Sequence, residues 1–382
     1  MDITFYTALL SLVWASALIG LLCLAQKSRR LVKLFGVWPL LLLVGVVVGR
    51  CLLPVELPAF TQAVALPGPV RDLNTLLFSS VGKDHVTPLR LLVALWALGV
   101  CAFLGRTAWG YLSFRWALAR RGRPLSHRDP AWDWAAASAW DWAAASAREL
   151  GIRRFRVTVL PSLRSPMLCG FFVPHVLLPD FPYGQEDYRC VFRHEFTHWK
   201  HGDLWVRLLA ELLRDLFWWN PLFRLLQKSL SQTLELKCDM AVAQGLTEEE
   251  RLGYVETLRK TLVFSHLRRK ASAPCSCFLA EFSSQGGKDL LQRADVILNY
   301  RPKPLRLVVG AVLTGALLAA VVLLSYAFVV TPQYDPADCV ILDRKDGSFY
   351  LFTDRKIVAA PFGVEEFPDY RAEGFPIRQA PK

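Results

Sequence analysis

Four long apolar runs limit what this chain can fold into, because a segment of about twenty apolar residues is stable across a lipid bilayer. We place these runs at residues 3–25, 34–53, 89–111 and 307–330. Of the 382 residues, 53% are hydrophobic and the mean hydropathy is +0.28, which is too apolar for an ordinary soluble domain. The first run could be a signal peptide. It lacks a basic leading region and a small-residue cleavage site, so we interpret it as an uncleaved helix.

Basic clusters beside the runs predict their orientation, since cytoplasmic loops are enriched in Lys and Arg. Such clusters lie at Lys27–Lys33, Arg115–Arg123 and Arg301–Arg306. Placing all three in the cytoplasm requires four crossings, with the N-terminus and the C-terminus both outside. This topology accounts for much of the net charge of +12. We therefore expect no direct nucleic-acid binding.

The runs also divide the chain into predicted domains. The expected parts are three membrane helices in residues 1–111 with an external loop at 54–88, a cytoplasmic domain at 112–305, a fourth membrane helix at 306–330 and an external tail at 331–382. In the tail, the stretch around Asp346-Gly347 predicts a small β-hairpin from Cys339 to Thr353. Cys339 is the lone cysteine of the tail, which therefore offers it no disulfide partner.

One pentapeptide in the cytoplasmic segment has the spacing of a metal site. His194 and His198 are four residues apart, so on a helix they lie on one face, where both imidazoles can ligate one Zn²⁺. Glu195 would then sit beside the open metal position as a general base. It would take a proton from the zinc-activated water that attacks a carbonyl, usually that of a peptide bond. The alternative is a helix that carries two solvated histidines.

A later segment supplies the carboxylates that such a site needs. A catalytic zinc requires a third protein ligand and an open position for water. We expect Glu235 to be that ligand. Asp239 lies four residues later on the same helical face, and we expect it to accept a hydrogen bond from the outer N–H of a ligating histidine. The alternative is an ordinary surface pair, but the surrounding segment is largely apolar and a buried carboxylate needs a partner.

The cytoplasmic segment has the pattern of a mixed α+β domain. An alanine-rich tandem repeat at 132–147 predicts a helix that ends at Gly151. Alternation predicts a strand at Phe155–Val159, and Leu168–Leu178 predicts a second strand or a hairpin. That hairpin is either an edge on which an extended substrate lies or a purely structural element. Capping and turn signals predict helices at about residues 186–202, 204–218, 221–244 and 247–264.

These features together resemble the membrane metallopeptidases of the BlaR/MecR type, the β-lactam sensor-transducers. The resemblance covers about residues 1–330 and rests on the arrangement of the apolar runs and on four motifs. The motifs lie at Ser165–Pro179, His194–Asp203, Asn220-Pro221 and Glu235–Asp239. It implies a gluzincin-type protease with one Zn²⁺ that responds to an external signal. Such a protease cleaves itself and inactivates, directly or indirectly, a cytoplasmic transcriptional repressor.

The resemblance does not extend to the sensor domain of that family. About 52 residues follow the last apolar run, and they do not contain the Ser-x-x-Lys motif of a penicillin-binding domain. We therefore expect a multi-pass α-helical membrane protein with a cytoplasmic α+β zincin-like (gluzincin) metalloprotease domain. Its expected partners are the lipid bilayer and a protein substrate, such as a cytoplasmic transcriptional repressor. The resemblance gives no support for an antibiotic ligand.

Two further expectations concern alternatives and self-cleavage. A catalytically silent membrane scaffold is the main alternative function, although the complete zinc set argues against it. A transport role is disfavoured because the apolar runs contain no polar pathway. The loop at Leu267–Lys270 is a candidate self-cleavage site. The alternative for this loop is a basic patch that holds anionic lipid.

Overall fold

The computed structural model describes most of the chain between the first apolar helix and residue 299. The described residues are 5–27, 37–52, 62–65, 76–77, 87–125, 134–181, 183–267 and 287–299, with short stretches between 312 and 379. The chain divides into two compact units. The larger unit contains residues 13–53 and 100–322, and the smaller unit contains residues 1–12, 54–99 and 323–382.

The described residues are mostly helical. The helices are α1 (Phe5–Lys27), α2 (Trp38–Leu52), α3 (Pro88–Arg121), α4 (Trp134–Glu149), α5 (Gln185–Lys200), α6 (Asp203–Leu216), α7 (Leu222–Ala243), α8 (Glu248–Leu267) and α9 (Gly287–Asn299). The strands are β1 (Gln62–Ala65), β2 (Arg123–Leu125), β3 (Arg156–Val159), β4 (Met167–Cys169), β5 (His175–Leu178), β6 (Phe328–Thr331), β7 (Cys339–Asp343), β8 (Phe349–Thr353), β9 (Lys356–Ile357) and β10 (Ile377–Gln379).

Among the described helices, α3 alone is long and apolar enough to cross a bilayer. Its 34 residues extend ten residues beyond the predicted end at 111. The first two apolar runs form α1 and α2, which contain shorter apolar helices at Leu9–Leu24 and Trp38–Cys51. The fourth run, 307–330, lies almost entirely outside the described residues. The structure thus identifies one candidate span, and the four-crossing topology stays a prediction.

The helices α1 and α2 bury part of their apolar surface inside the larger unit. Leu22 of α1 and Val47 of α2 are fully buried in the same cluster as Leu226 of α7. A polar contact reinforces this packing, because the Gln26 amide donates a 2.9 Å hydrogen bond to the backbone oxygen of Ser229. Two of the apolar runs therefore pack directly on the helix that carries Glu235.

A four-stranded sheet in the order β2-β3-β5-β4 stands beside the motif helix. The β3–β5 pair is parallel, and the other two pairs are antiparallel. The predicted hairpin at Leu168–Leu178 is confirmed, because β4 pairs with β5 from Met167↔Leu177 to Cys169↔His175. Gly170 closes this hairpin at φ +91, and a Cβ there would lie 2.2 Å from the Val173 carbonyl oxygen. Only glycine fits this turn without strain.

The predicted helices of the domain are present, with ends that differ by a few residues. The predicted capping box is confirmed, since Thr247 N–H donates to the Glu250 carboxylate at 2.9 Å and Glu250 N–H donates to the Thr247 hydroxyl at 3.3 Å. Just before α7, the Asn220 side chain accepts a 3.0 Å hydrogen bond from Leu222 N–H. The helix α9 was not predicted.

The smaller unit contains two sheets in its described residues. The predicted tail hairpin is confirmed as the antiparallel pair β7–β8, which runs from Cys339↔Thr353 to Asp343↔Phe349. It belongs to a four-stranded sheet in the order β10-β7-β8-β9. The strands β1 and β6 form a separate parallel pair. The strands β9 and β10 and the β1–β6 pair were not predicted.

Candidate metal centre

The helix α5 holds the predicted motif between the sheet and the other helices. Its aromatic side chains Phe192 and Phe196 are fully buried in the core cluster that includes the sheet. The polar side chains His194, Glu195 and His198 are also buried, with exposures of 7%, 8% and 5%. Two solvated histidines are therefore excluded, and these polar groups need partners inside the fold.

The helix α7 brings Glu235 against both histidines. The Nε2 atoms of His194 and His198 are 3.1 Å apart. The two oxygens of Glu235 lie 3.4 Å from Nε2 of His194 and 3.5 Å from Nε2 of His198. These separations fit a tetrahedral zinc site, because ligand atoms about 2.0–2.2 Å from the metal lie about 3.2–3.6 Å from one another. The three side chains can therefore hold one Zn²⁺.

Cys238 is a second candidate for the third ligand. Its sulfur and one nitrogen from each of His194 and His198 all lie within 4.8 Å of one another. Within this set, Sγ is 3.4 Å from Nδ1 of His194, the nitrogen opposite the one that faces Glu235. That Nδ1 atom already lies 2.7 Å from the Tyr254 hydroxyl. Geometry thus favours Glu235, whose oxygens meet the Nε2 atoms of both histidines.

Asp203 orients His198 from the first residue of α6. Its carboxylate accepts a 2.7 Å hydrogen bond from Nδ1 of His198, which leaves Nε2 with a free lone pair. Lys237 pairs with the other oxygen of Asp203. Burial alone would raise the pKa of Asp203, but the hydrogen bond from His198 and the Lys237 charge lower it. This carboxylate therefore stays charged and fixes the histidine tautomer.

Tyr254 of α8 links Asp239 to His194, where the sequence predicted a direct hydrogen bond. Oδ1 of Asp239 is 3.5 Å from Nδ1 of His194, beyond a strong hydrogen bond. The Tyr254 hydroxyl lies 2.7 Å from each of these two atoms and donates to Asp239. Its oxygen can then accept a hydrogen bond from the Nδ1–H group of His194. Asp239 thus acts on His194 through a tyrosine that sequence analysis missed.

Two arginines hold the carboxylates of the site. Arg293 of α9 contacts both oxygens of Asp239, at 2.6 and 2.8 Å, and one oxygen of Glu235 at 3.0 Å. Arg207 of α6 donates to the other Glu235 oxygen at 2.8 Å. Arg293 is only 6% exposed. Both carboxylates are therefore oriented by charge-assisted hydrogen bonds from elements that sequence analysis did not connect to them.

The charges of the centre are strongly interdependent. Burial alone would lower the pKa of His194, but Cys238 and Glu235 beside it raise that pKa to about 10. Burial opposes ionisation of Glu235, yet Arg293 and the two histidines hold its pKa well below the usual range. Metal ligands must be deprotonated, so cation binding would release protons and strengthen as the pH rises.

All the predicted site residues except Asp239 share one cavity. It has a volume of about 110 Å³ and is lined by His194, Glu195, His198 and Glu235, with Met167 and Leu168 of β4. Asp239 is fully buried and does not line this cavity. The residues that sequence analysis missed are Asp203, Arg207, Cys238, Tyr254 and Arg293. Cys238 and Asp203 had a sequence signal, since both lie inside the motifs quoted above, whereas the others had none.

Comparison with known proteins relates this chain to one peptidase family and to two groups of regulatory proteins. Residues 76–284 match the BlaR1 peptidase M56 family. The chain is similar to the regulatory protein BlaR1 of Bacillus licheniformis, with 29% identity over 167 residues that cover 41% of this chain and 27% of the relative. It is also similar to the methicillin resistance mecR1 proteins of Staphylococcus aureus and Staphylococcus epidermidis, with 24% identity over 225 residues. Those matches cover 53% of this chain and 36% of each relative, so the chain spans about a third of the length of these relatives.

Proposed function

The chain belongs to the BlaR1 peptidase M56 family, and on that premise we propose that it is a membrane zinc endopeptidase of the gluzincin type. We further propose that it transduces an external signal by cleaving itself, a cytoplasmic regulator such as a transcriptional repressor, or both. The protease domain would face the cytoplasm, with both termini outside. The observation that carries this proposal is the close approach of His194, His198 and Glu235 around one point, with Glu195 in the same cavity.

The proposed roles follow from this arrangement. His194, His198 and Glu235 would hold the metal through two nitrogens and a carboxylate oxygen. When bound, zinc would activate a water molecule and polarise the scissile carbonyl. Glu195 would accept the proton of the attacking water and deliver it to the departing amine nitrogen. Asp203 and Asp239 would keep the histidines in the tautomer that presents Nε2.

The edge strand β4 gives the proposed substrate a place to bind. Among the described strands, β4 pairs with β5 alone and is therefore an edge strand of this sheet. Ser165 and Pro166, just before β4, line the same cavity as Glu195. The Ser165 hydroxyl is buried and has no hydrogen-bond partner in the described part of the chain. An extended peptide paired to β4 would therefore pass the metal centre and could satisfy this hydroxyl.

Self-cleavage near Leu267–Lys270 remains part of the proposal. Leu267 ends α8, and residues 268–286 lie outside the described residues. A segment tethered close to the site gains from a high effective concentration. A basic patch on anionic lipid remains the alternative for this stretch.

The test is expression of the wild type and Glu195→Gln in membranes, with mass spectrometry of fragments and measurement of bound zinc. We expect both proteins to carry one zinc and only the wild type to produce new termini. Gln is nearly isosteric with Glu but cannot take the water's proton. If the wild type binds zinc and never cleaves when stimulated, the catalytically silent scaffold becomes the better description. Cleavage by Glu195→Gln with zinc bound would show that another residue is the base.

A further inference from the structure

A second cavity, about 650 Å³ in volume, lies in the larger unit and is lined in part by Glu235. We call it the cationic cavity. It is lined by Phe103, Arg106, Trp218, Arg224, Lys228 and Gln232, among others. Its volume falls in the range of roughly 300–1,000 Å³ that is typical of ligand sites. The proposed peptidase mechanism does not use it.

Three basic side chains of the cationic cavity lack carboxylate partners. Arg106, Arg224 and Lys228 are exposed, and none of them makes an ion pair with any residue in the described ranges. In contrast, the nearby Arg214 is neutralised by Glu211 and Asp215. Five basic side chains line the cavity against two carboxylates, Glu235 and Asp289, so its charge is net positive and favours an anionic ligand.

Part of the aromatic wall of the cavity comes from the candidate membrane span. Phe103 and Arg106 belong to α3, and Arg106 is the first charged residue after a stretch of fifteen uncharged residues that follows Arg90. Phe103 stacks on Trp218 with ring centroids 5.7 Å apart, and the Arg106 guanidinium lies 5.5 Å from the Phe103 ring centroid. Aromatic and basic residues at the end of an apolar span mark the headgroup level of a bilayer.

Two exposed apolar side chains are next in sequence to residues that line the cavity. Trp219 and Leu225, the chain neighbours of the lining residues Trp218 and Arg224, are 51% and 47% exposed. A ligand that reaches this place from the bilayer would contact apolar groups with its tails and basic groups with its head. A soluble acidic peptide would satisfy the basic groups but would leave the apolar ones exposed to water.

We propose that the cationic cavity binds the phosphate headgroup of an anionic membrane lipid. Arg224 and Lys228 are four residues apart on α7, so they lie on one helical face and can contact the phosphate from one side. Arg106 would contact it from α3. Glu235 and Arg293 also line this cavity, so the bound lipid would lie next to the candidate metal centre. This proposal is independent of peptidase activity.

The test uses the full chain, purified in detergent and stripped of lipid, with its melting temperature followed as lipid is added. The probes are phosphatidylglycerol, phosphatidylcholine and inorganic phosphate. We expect phosphatidylglycerol to raise the melting temperature with saturation, and the other two to have little effect. Arg224→Gln/Lys228→Gln should shift the half-maximal lipid concentration upward roughly thirtyfold, since each basic residue contributes separately to binding an anionic lipid.

The matched control removes two positive charges elsewhere in the larger unit. Arg148→Gln/Arg259→Gln changes the exposed arginines of α4 and α8, neither of which lines the cavity, and it should respond to lipid like the wild type. Bound zinc and the lipid-free melting temperature show whether each variant folds. If the double variant of the cavity does not fold, Arg106→Gln provides the comparison.

Three outcomes would overturn the proposal. The first is an equal response to phosphatidylglycerol in the wild type and in the folded cavity variant. The second is full stabilisation by inorganic phosphate, which would assign the cavity to a free anion instead of a lipid. The third is stabilisation by an acidic peptide such as oligoglutamate and none by lipid, which would assign it to a protein partner. Loss of proteolysis in Glu195→Gln would have no bearing on these results.

Discussion

The hydroxyl of Tyr254 lies 2.7 Å from Nδ1 of His194, although the two residues are sixty positions apart in the chain. The same hydroxyl donates to Asp239 at 2.7 Å, so one phenol links a candidate metal ligand to a buried carboxylate. Because Nδ1 is engaged in this way, Nε2 of His194 is the nitrogen left for a metal. The tautomer of His194 therefore depends on a residue from a different helix.

We expect Tyr254→Phe to weaken zinc binding by roughly 10–100-fold, the usual cost of losing a group that orients a ligand. The ring stays in place, so folding should be nearly unchanged. Competition with a chelator of known affinity measures the effect. Tyr188→Phe is the matched control, because Tyr188 is a buried tyrosine of α5 with no hydrogen bond to the centre. Equal zinc affinity in the wild type and Tyr254→Phe would show that the Tyr254 hydroxyl does not orient a metal ligand.

Glu235→Ala and Cys238→Ala distinguish the two candidates for the third ligand. We expect Glu235→Ala to lose zinc almost completely and Cys238→Ala to retain it, because only Glu235 meets the Nε2 atoms of both histidines. The zinc affinity of Asp239→Ala should lie between those of the other two variants, roughly 10–100-fold below that of the wild type. The measurement is zinc content by elemental analysis after dialysis. Zinc lost from Cys238→Ala and retained in Glu235→Ala would assign the site to the histidines and the thiol.

The local part of the site could be predicted from the sequence, because helix periodicity alone sets it. His194 and His198 share a face at a spacing of four residues, and the same holds for Glu235 and Asp239. The β4–β5 hairpin was predictable for a similar reason, since its glycine turn and its strands are adjacent in sequence. These are contacts between near neighbours, for which a pattern is sufficient.

The long-range part of the site could not be predicted in this way. Arg293 reaches Asp239 from fifty-four positions away, on a helix that follows a segment without a clear pattern. Nothing in its local sequence separates it from a solvated arginine. The parallel β3–β5 pairing likewise depends on how β4 and the connecting turns pack. Both are decided by tertiary packing, which local propensity does not encode.

Arg293→Met should destabilise the domain by about 3–5 kcal/mol, because it leaves buried carboxylates without their counter-charge. Arg293→Lys should cost less, since it keeps the charge but loses the two-point contact with Asp239. Denaturant unfolding in detergent measures both. Arg259→Met is the control, because its ion pair with Glu256 is on the surface and should contribute little. A Met variant as stable as the wild type would show that this buried network is not needed for folding.

His175 should make the free energy of unfolding depend on pH over a narrow range. Burial, together with the charges of Arg156 and Arg115, lowers the pKa of His175 to about 4. The pKa of a histidine in the unfolded chain is about 6.5, so between about pH 6.5 and 4 the unfolded chain binds one more proton than the native state. The native state therefore loses stability as the pH falls through this range, and the loss is complete below it.

Unfolding of the wild type and His175→Gln at a series of pH values tests this dependence. Gln can keep the hydrogen bond that Nε2 of His175 makes with the Thr158 hydroxyl at 2.8 Å, but it does not titrate. We expect a flatter pH profile between about 4 and 6.5 for this variant. His266→Gln changes an exposed histidine at the end of α8 and should keep the wild-type profile. Identical slopes in all three proteins would exclude His175 as the origin.

Ser165→Ala tests whether the cleft beside β4 binds the substrate. The Ser165 hydroxyl is buried without a hydrogen-bond partner among the described residues, so its removal should not lower stability. If the hydroxyl bonds a substrate backbone group in both the ground state and the transition state, the variant should raise KM and leave kcat unchanged. The expected increase is roughly three- to tenfold, the equivalent of one neutral hydrogen bond. A peptide that spans the cleavage site found in membranes is the substrate for this assay.

The control for this prediction is Ser265→Ala. Ser265 lines the same cavity, but its hydroxyl already donates to the Leu262 carbonyl of its own helix at 2.7 Å. Removing it should therefore leave KM unchanged. An equal KM in Ser165→Ala and the wild type would mean that the substrate does not bond this hydroxyl. A fall in kcat with normal zinc content would instead place Ser165 in the chemical step, since an interaction made only in the transition state changes kcat.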